Sequence, residues 1–383
     1  YQSAVTASKA EKLDYQFISK LPHITSSTTY LSTYTFNDTM SKGMTYNKDA
    51  VIAVYDSKDA ADTTNVNNVD KSGAIAVWKS TDNDPNFAVT YGTSGDDSTM
   101  QVAMTKKGLN EINKKYSDKY IVVYYTANVN TDDSVTLGDK GNPNDVSLTW
   151  KRTSTDYYDI LKDECIVYSF GYDLTKKFSD DKGDATKVKF VIQNKSDNYY
   201  LVATGSNGVY QITGKSATEE GATQFSPSAA GKLVINGIEA DKYGFTETHS
   251  DAGYSLLKKE IIVNITSTKA AITPTQANIT GIQSKADTDS TANDGVVNGT
   301  ALKNDVTVQT TAASATVDET KATMTKHGES NNAYVNMEVT NQKQFLLPMT
   351  GGAGSYALII AGVVIAGCGF MIVKKNQKRK EIQ

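Results

Sequence analysis

The chain has 383 residues, a net charge of -4 and a hydrophobic fraction of 39%, which leaves room for two folded units plus tails. Thr, Ser, Asn and Asp abound and 22 tyrosines are present, a mixture that favours strands and turns over helices. No basic stripe occurs outside the last residues, which argues against a nucleic-acid partner; His23, His249 and His327 lie too far apart in sequence to suggest a zinc site.

From residue 1 to 152, short apolar runs alternate with polar turns. Leu13 to Ile18, Val51 to Tyr55, Ile75 to Trp78 and Ile121 to Val129 read as strands, with turn residues at Gly92 to Asp97 and one short helix at Lys106 to Tyr116. Strands at this spacing predict a β-sandwich. A second unit is expected over 153–344. Its strands are Val167 to Lys176, Lys187 to Gln193, Tyr199 to Ala203, Gly208 to Thr213, Lys232 to Ile235, Tyr243 to Glu247 and Glu260 to Ile265.

Between residues 266 and 332 the composition turns to Ala, Thr, Ser, Asp and Asn. That reads either as a disordered linker or as a polar insertion with edge strands such as Val306 to Gln309. The second is preferred, because Val335 to Asn341 again has strand character.

Residues 345–383 form a C-terminal address. Tyr356 to Val373 carries no charge and is long enough to cross a bilayer as one helix. Lys374, Lys375, Lys378, Arg379 and Lys380 follow and hold their side in the cytoplasm. Everything before Tyr356 is then outside. Cys165 and Cys368 are the only cysteines and the second lies in the apolar run, so no internal disulfide is expected outside the cell. The sequence opens at Tyr1 with no signal peptide, although the other end demands export; the N-terminus is therefore read as processed or truncated.

Three polar side chains extend apolar strand faces in the second unit. Residues i and i+2 of a strand share a face. Phe170, Tyr172 and Leu174 are continued by Lys176, Tyr243 and Phe245 by Glu247, and Val335, Met337 and Val339 by Asn341. A lysine or glutamate buried without a partner is costly. Together the three suit an internal Lys–Asn isopeptide bond. Burial favours the neutral, nucleophilic amine and the protonated acid, which can polarise the asparagine carbonyl and relay protons as ammonia leaves. The alternative is three unrelated residues at a sandwich rim. Lys177 and Asn264 are rival choices of opposite parity.

Leu347-Pro348-Met349-Thr350-Gly351, followed by the apolar run and the basic tail, resembles the sorting signal of sortase substrates. The resemblance implies that a sortase cysteine attacks the carbonyl of Thr350, releases Gly351 onward and passes the acyl group to an amine on peptidoglycan or on another subunit. Leu174-Thr175-Lys176-Lys177, Leu233 to Ile238, Tyr243 to Thr248, Ala252-Gly253-Tyr254 and Val339-Thr340-Asn341 resemble a CnaB-type pilin domain. This implies Lys176 and Asn341 as the cross-linked pair and Glu247 as the acid. Asp251 stands where that family has a proline.

Thr35 to Tyr46 and Gly141 to Leu148 resemble the fimbrial D2, CnaA-type domain, with Asp38 where the family has its acid and Asn144 where it has its acyl donor. The lysine partner stays open: Lys9 is in phase with Leu13, Tyr15 and Phe17, and the family's lysine strand could also precede Tyr1.

Together these features resemble the major (backbone) pilin of sortase-assembled Gram-positive pili. They imply an all-β chain of two tandem Ig-like sandwiches, CnaA-type then CnaB-type, ahead of the sorting signal with its one hydrophobic helix. The leading expectation is a structural shaft subunit with no cofactor and no metal. The alternative is a monomeric wall-anchored adhesin that binds a host matrix or glycan, with residues 266–332 as the place to look. The YPKN-like motif whose lysine joins pilin subunits does not occur in this sequence. An enzyme is not expected, because no GxSxG, HExxH or phosphate-binding loop is present, and pairs such as Asp96-Asp97 and Asp132-Asp133 read as solvated turns rather than glycosidase carboxylates.

Replacing Thr350 by Ala should leave the protein in the membrane fraction instead of the wall fraction. Fractionation followed by immunoblotting measures this, and equal wall linkage of the variant would exclude processing at this site.

Overall fold

The structure is a computed structural model and describes residues 1–2, 4–23, 27–71, 73–93, 96–153, 158–268, 311–318, 320–327 and 330–344. Leu347 to Gly351, Tyr356 to Val373 and Val306 to Gln309 lie outside the described residues.

The chain first runs through β1 (Ala4–Thr6), β2 (Lys12–Lys20), β3 (Leu31–Met40), β4 (Met44–Tyr46) and β5 (Val51–Tyr55). Then come α1 (Lys58–Asp62), β6 (Ala76–Lys79), β7 (Phe87–Thr93), β8 (Asp96–Met104), α2 (Lys106–Lys115), β9 (Tyr120–Val129), β10 (Asn142–Arg152) and β11 (Tyr158–Tyr168). It continues through β12 (Phe170–Phe178), β13 (Lys189–Asn194), β14 (Tyr199–Ser206), β15 (Val209–Ser216), β16 (Lys232–Ile238) and β17 (Lys242–His249). The last strands are β18 (Ile261–Thr268), β19 (Thr311–Val317), β20 (Thr320–Ala322), β21 (Met324–His327) and β22 (Ser330–Asn341).

Two sheets make the first sandwich. One has the order β1-β11-β10-β3-β8-β7 and the other β2-β9-β5-β6, with β4 also on β9. Strands β5 and β9 read as unbroken apolar runs because both of their faces are covered. Ile52, Val54, Ile121, Val123 and Tyr125 face the core between the sheets. Val51, Ala53, Tyr55, Val122 and Tyr124 face a second cluster completed by Ala61 of α1 and Val69. Helix α2 starts where Thr105 caps it by accepting from the Gly108 amide, and it buries Ile112.

The pairing of β11 carries the chain of the first sandwich beyond residue 152. Tyr158–Tyr168 pairs antiparallel with β10 and parallel with β1, and the passage to the next sheet falls at Ser169. A run from Val167 to Lys176 looks continuous in sequence, but its two ends belong to different sheets.

The second sheet system has the order β20-β19-β18-β17-β13-β14-β15-β16-β12-β22-β21. It folds over onto itself. Four strands separate β12 from β17 in this order, yet the Tyr172 and Phe245 rings are 4.7 Å apart edge to face. Tyr172, Leu174, Phe190, Ile192, Leu201, Ile235, Phe245 and Val335 fill the enclosed core. Part of the polar stretch at 266–332 is built into this system, as the edge strands β19, β20 and β21.

Strand β12 is held between β16, antiparallel, and β22, parallel, with Lys176 opposite Val339 and Phe178 opposite Asn341. Gly231 anchors its end: the Lys176 amide donates to the Gly231 carbonyl at 2.7 Å. Gly231 has φ +77°, and a Cβ there would stand 2.4 Å from the Lys176 carbonyl oxygen. Gly231→Ala should therefore destabilise the second sandwich by about 2 kcal/mol or more, through the left-handed backbone and the clash. A lowered denaturant midpoint on chemical unfolding checks this; an unchanged midpoint would mean the turn relaxes freely.

Candidate cross-linking site

Lys176, Glu247 and Asn341 meet inside the second sandwich. Lys176 lies on β12 in phase with Tyr172 and Leu174, Asn341 ends β22, and Glu247 comes from β17 across the core. The Lys176 Nζ donates to Asn341 Oδ1 at 2.5 Å and lies 3.2 Å from Glu247 Oε1. The Asn341 Nδ2 donates to both Glu247 oxygens, at 2.9 and 3.1 Å, and to Ser250 Oγ at 2.7 Å. The Leu257 amide donates to Glu247 Oε2 at 2.9 Å. The lysine and glutamate side chains are both 0% exposed.

Such burial disfavours the ammonium, and it lowers the Lys176 pKa against the opposing pull of Glu247. The Phe178 ring, 5.6 Å from Nζ, closes the site on one side. A buried ion pair is weak support for stability, because desolvation offsets most of its attraction. The arrangement is better matched to chemistry: a nucleophile in contact with an amide, and an acid in contact with both.

The roles within the site differ from the sequence reading in one respect. Glu247 was expected at the asparagine carbonyl. Its carboxylate instead faces Asn341 Nδ2, the nitrogen that would leave, while Lys176 holds the carbonyl oxygen. Ser250, just past the end of β17, was not foreseen; parity says nothing about a residue outside a strand. The rivals point elsewhere. Lys177 is exposed and pairs with Glu338 at 2.6 Å, and Asn264 is half-buried on β18, opposite Lys242.

In the first sandwich the structure brings Asp38 and Asn144 together on adjacent strands β3 and β10. Asp38 Oδ2 accepts from the hydroxyls of Tyr46 at 2.7 Å and Tyr125 at 3.1 Å, and Asn144 Nδ2 donates to the Tyr125 hydroxyl at 2.8 Å. Asp38 Oδ1, Asn144 Oδ1 and the Tyr15 hydroxyl are buried without a hydrogen-bond partner. Cys165 lies opposite Asn144 in the β10–β11 register. Lys9 is not at this site: its Nζ donates to the Asp132 carbonyl and to Gln211. The acid and the amide are therefore present without a lysine in contact with them among the described residues.

Burial pushes the Asp38 carboxyl from 3.8 up to about 7, against the Tyr46 and Tyr125 hydroxyls, which hold it down. A carboxyl whose folded pKa is raised stabilises the fold in its protonated form. That contribution is complete below the unfolded pKa and is lost as pH rises through the folded value, here between about 4 and about 7. The loss is at most about 4 kcal/mol. The first sandwich should melt at lower temperature at pH 8 than at pH 5, and Asp38→Asn should remove most of that difference in calorimetric scans. An equal slope in the variant would mean that Asp38 ionises freely.

The comparisons with known proteins agree with this architecture. The sequence pattern of the LPXTG cell wall anchor motif matches residues 339–381. The pilus 2b backbone protein of group B streptococcus is 17% identical and superposes with a TM-score of 0.52, covering 90% of this chain and 97% of that one. Domains D2 and D3 of the major pilin SpaD from Corynebacterium diphtheriae are 13% identical with a TM-score of 0.50, covering 89% of this chain and 96% of that one. No curated protein matches the sequence. The chain is an all-β surface protein of a Gram-positive cell that carries an LPXTG cell wall anchor and shares the fold of pilus backbone proteins.

Proposed function

We propose that the chain is a structural subunit of a sortase-assembled pilus shaft, and that an isopeptide bond between Lys176 and Asn341, promoted by Glu247, locks its second domain. We divide the two domains at Ser169. The observation that carries the bond is the fully buried contact of the lysine nitrogen, the asparagine amide and the glutamate carboxylate.

The chemistry is a single turnover. Glu247 takes a proton from the Lys176 ammonium across 3.2 Å. The free amine adds to Asn341 Cγ, and the carbonyl oxygen takes up the developing negative charge. Glu247 returns a proton to Nδ2, which its carboxylate already contacts. The Cγ–Nδ2 bond breaks, ammonia leaves, and the remaining proton on Nζ passes to the carboxylate and on to ammonia. One amide replaces another, and no cofactor is consumed. Ser250 holds the departing nitrogen in line.

The placement of the bond suits a shaft. Parallel β12 and β22 are neighbours, and the sorting signal follows β22 after a few residues. Tension entering at Phe170 runs along β12 to Lys176, crosses the bond, and leaves through Asn341 toward Thr350. Residues 177–340 are then outside the load path. The closed loop spans 165 positions, so by analogy with disulfides it restricts the unfolded chain by about 5 kcal/mol.

Peptide mapping of the full chain should give a branched peptide joining Lys176 and Asn341, with one ammonia missing from its mass. Glu247→Gln should yield the two peptides separately and a less stable second domain. Recovery of both peptides unlinked from the wild type would sink the bond. Wall extracts boiled in detergent should show a high-molecular-weight ladder; a single monomer band would instead favour a monomeric surface protein.

A further inference from the structure

A second chain of lysine, amide and carboxylate lies where the two sandwiches meet. Lys9, in the turn after β1, donates from Nζ to Gln211 Oε1 on β15 at 2.5 Å and to the Asp132 carbonyl at 2.7 Å. The Gln211 Nε2 donates to Asp133 Oδ1 at 2.8 Å. The order of contacts repeats that around Lys176: lysine nitrogen on the amide oxygen, amide nitrogen on a carboxylate.

The backbone is shaped to hold this lysine. Its amide donates to the Gly237 carbonyl at 2.9 Å. Gly237 has φ +94°, and a Cβ there would stand 2.2 Å from Lys9 Cγ, so the glycine leaves room for the lysine stem. Lys9 is only 2% exposed, and among the described residues no carboxylate lies within ion-pair distance of it. An unpaired ammonium so buried is costly; conversion to an amide removes that cost. A cleft of about 560 Å³, lined by Asp133, Gln211, Asn236 and Tyr334 among others, adjoins the lysine and gives a departing molecule a way out.

We propose that Lys9 and Gln211 form an isopeptide bond between the two sandwiches, with Asp133 as the proton relay. The Lys9 ammonium gives one proton to solvent in the cleft, and the amine adds to Gln211 Cδ, which brings Nζ beside the Nε2 that Asp133 holds. A second proton then passes from Nζ by way of the Asp133 carboxylate to Nε2, the Cδ–Nε2 bond breaks, and ammonia leaves through the cleft and takes up the first proton. The balance is one amide made, one amide broken and one ammonium ion released. The bond adds to contacts already bridging the units, among them Glu239 N to Ser8 Oγ at 3.1 Å and Asn332 Nδ2 to Asp139 Oδ2 at 2.9 Å. Its effect is to fix the angle between the sandwiches, which otherwise rests on noncovalent packing.

The test is a tryptic map of the full wild-type chain. The expected result is a branched peptide joining the Lys9 and Gln211 segments, uncut after Lys9. It should vanish in Lys9→Arg and in Gln211→Met and become scarce in Asp133→Asn. Cleavage after Lys9 with a free Gln211 peptide in the wild type would overturn the proposal. The Lys176 peptide, read in the same digest, reports on the other bond independently, so either bond can fail alone.

Discussion

A lysine, a glutamate and an asparagine shut away from water inside an apolar sandwich constrain everything packed around them. Each of the three must be held by its own strand, because no solvent is present to complete a hydrogen bond that misses. Strand β12 brings Lys176, β22 brings Asn341 in parallel register beside it, and β17 brings Glu247 from the facing side. The sheet has to fold over for the third to reach the other two. The edge-to-face contacts of Tyr172 with Tyr243 and Phe245 are the apolar side of the same requirement. The aromatic residues set the separation of the strands, and the polar ends meet at that separation.

The parallel pairing of β12 with β22 gives the site a mechanical meaning. Hydrogen bonds between parallel strands pulled from opposite ends are loaded in shear, and the proposed covalent link near the exit of β22 would intercept that load before the ladder bears it. The rest of the domain is then free to vary. Strands β19 to β21, drawn from the polar stretch at 266–332, lie at the outer edges of the sheet. An insertion there leaves the line from Phe170 to Asn341 untouched.

Much of this was legible in the sequence because strand geometry has a period of two. Lys176, Glu247 and Asn341 each continue an apolar face, and a side chain on that face is buried whichever strand lies next to it. Parity also rejected Lys177 and Asn264, which point to other partners. Parity could not say which strands are neighbours. That is why the end of β11, Cys165 to Tyr168, gave no sign of pairing with β10 and β1 rather than continuing into β12. Nor could it orient an amide: which side of Asn341 faces Glu247 is set by the packing of β17 against β22. Lys9 shows a further limit. It is in phase with Leu13, Tyr15 and Phe17, but the positive φ at Ala10, 65°, breaks the chain between them and resets the face. The phase was sound arithmetic across a strand that does not extend that far.

In the first sandwich an acid and an amide meet with no amine in contact among the described residues. Asp38 and Asn144 lie on adjacent strands and both contact the Tyr125 hydroxyl, and burial raises the Asp38 carboxyl toward neutrality. The groups facing them are poor nucleophiles. Burial lifts the Cys165 thiol to about 12 and holds the Tyr15 hydroxyl well above its ordinary value, so neither ionises near neutral pH. Among the described residues no amine reaches the pair, and the hydroxyls of Tyr46 and Tyr125 contact it instead. Tyr125 in turn packs against Tyr15 and Phe17, each with ring centroids 5.0 Å away. Rigidity here comes from stacked aromatic rings around a polar knot. Packing of that kind yields under sustained tension where a covalent bond does not. Under the proposed Lys176–Asn341 bond the two sandwiches would divide the work: one would resist by its core, the other by a bond that bypasses its core.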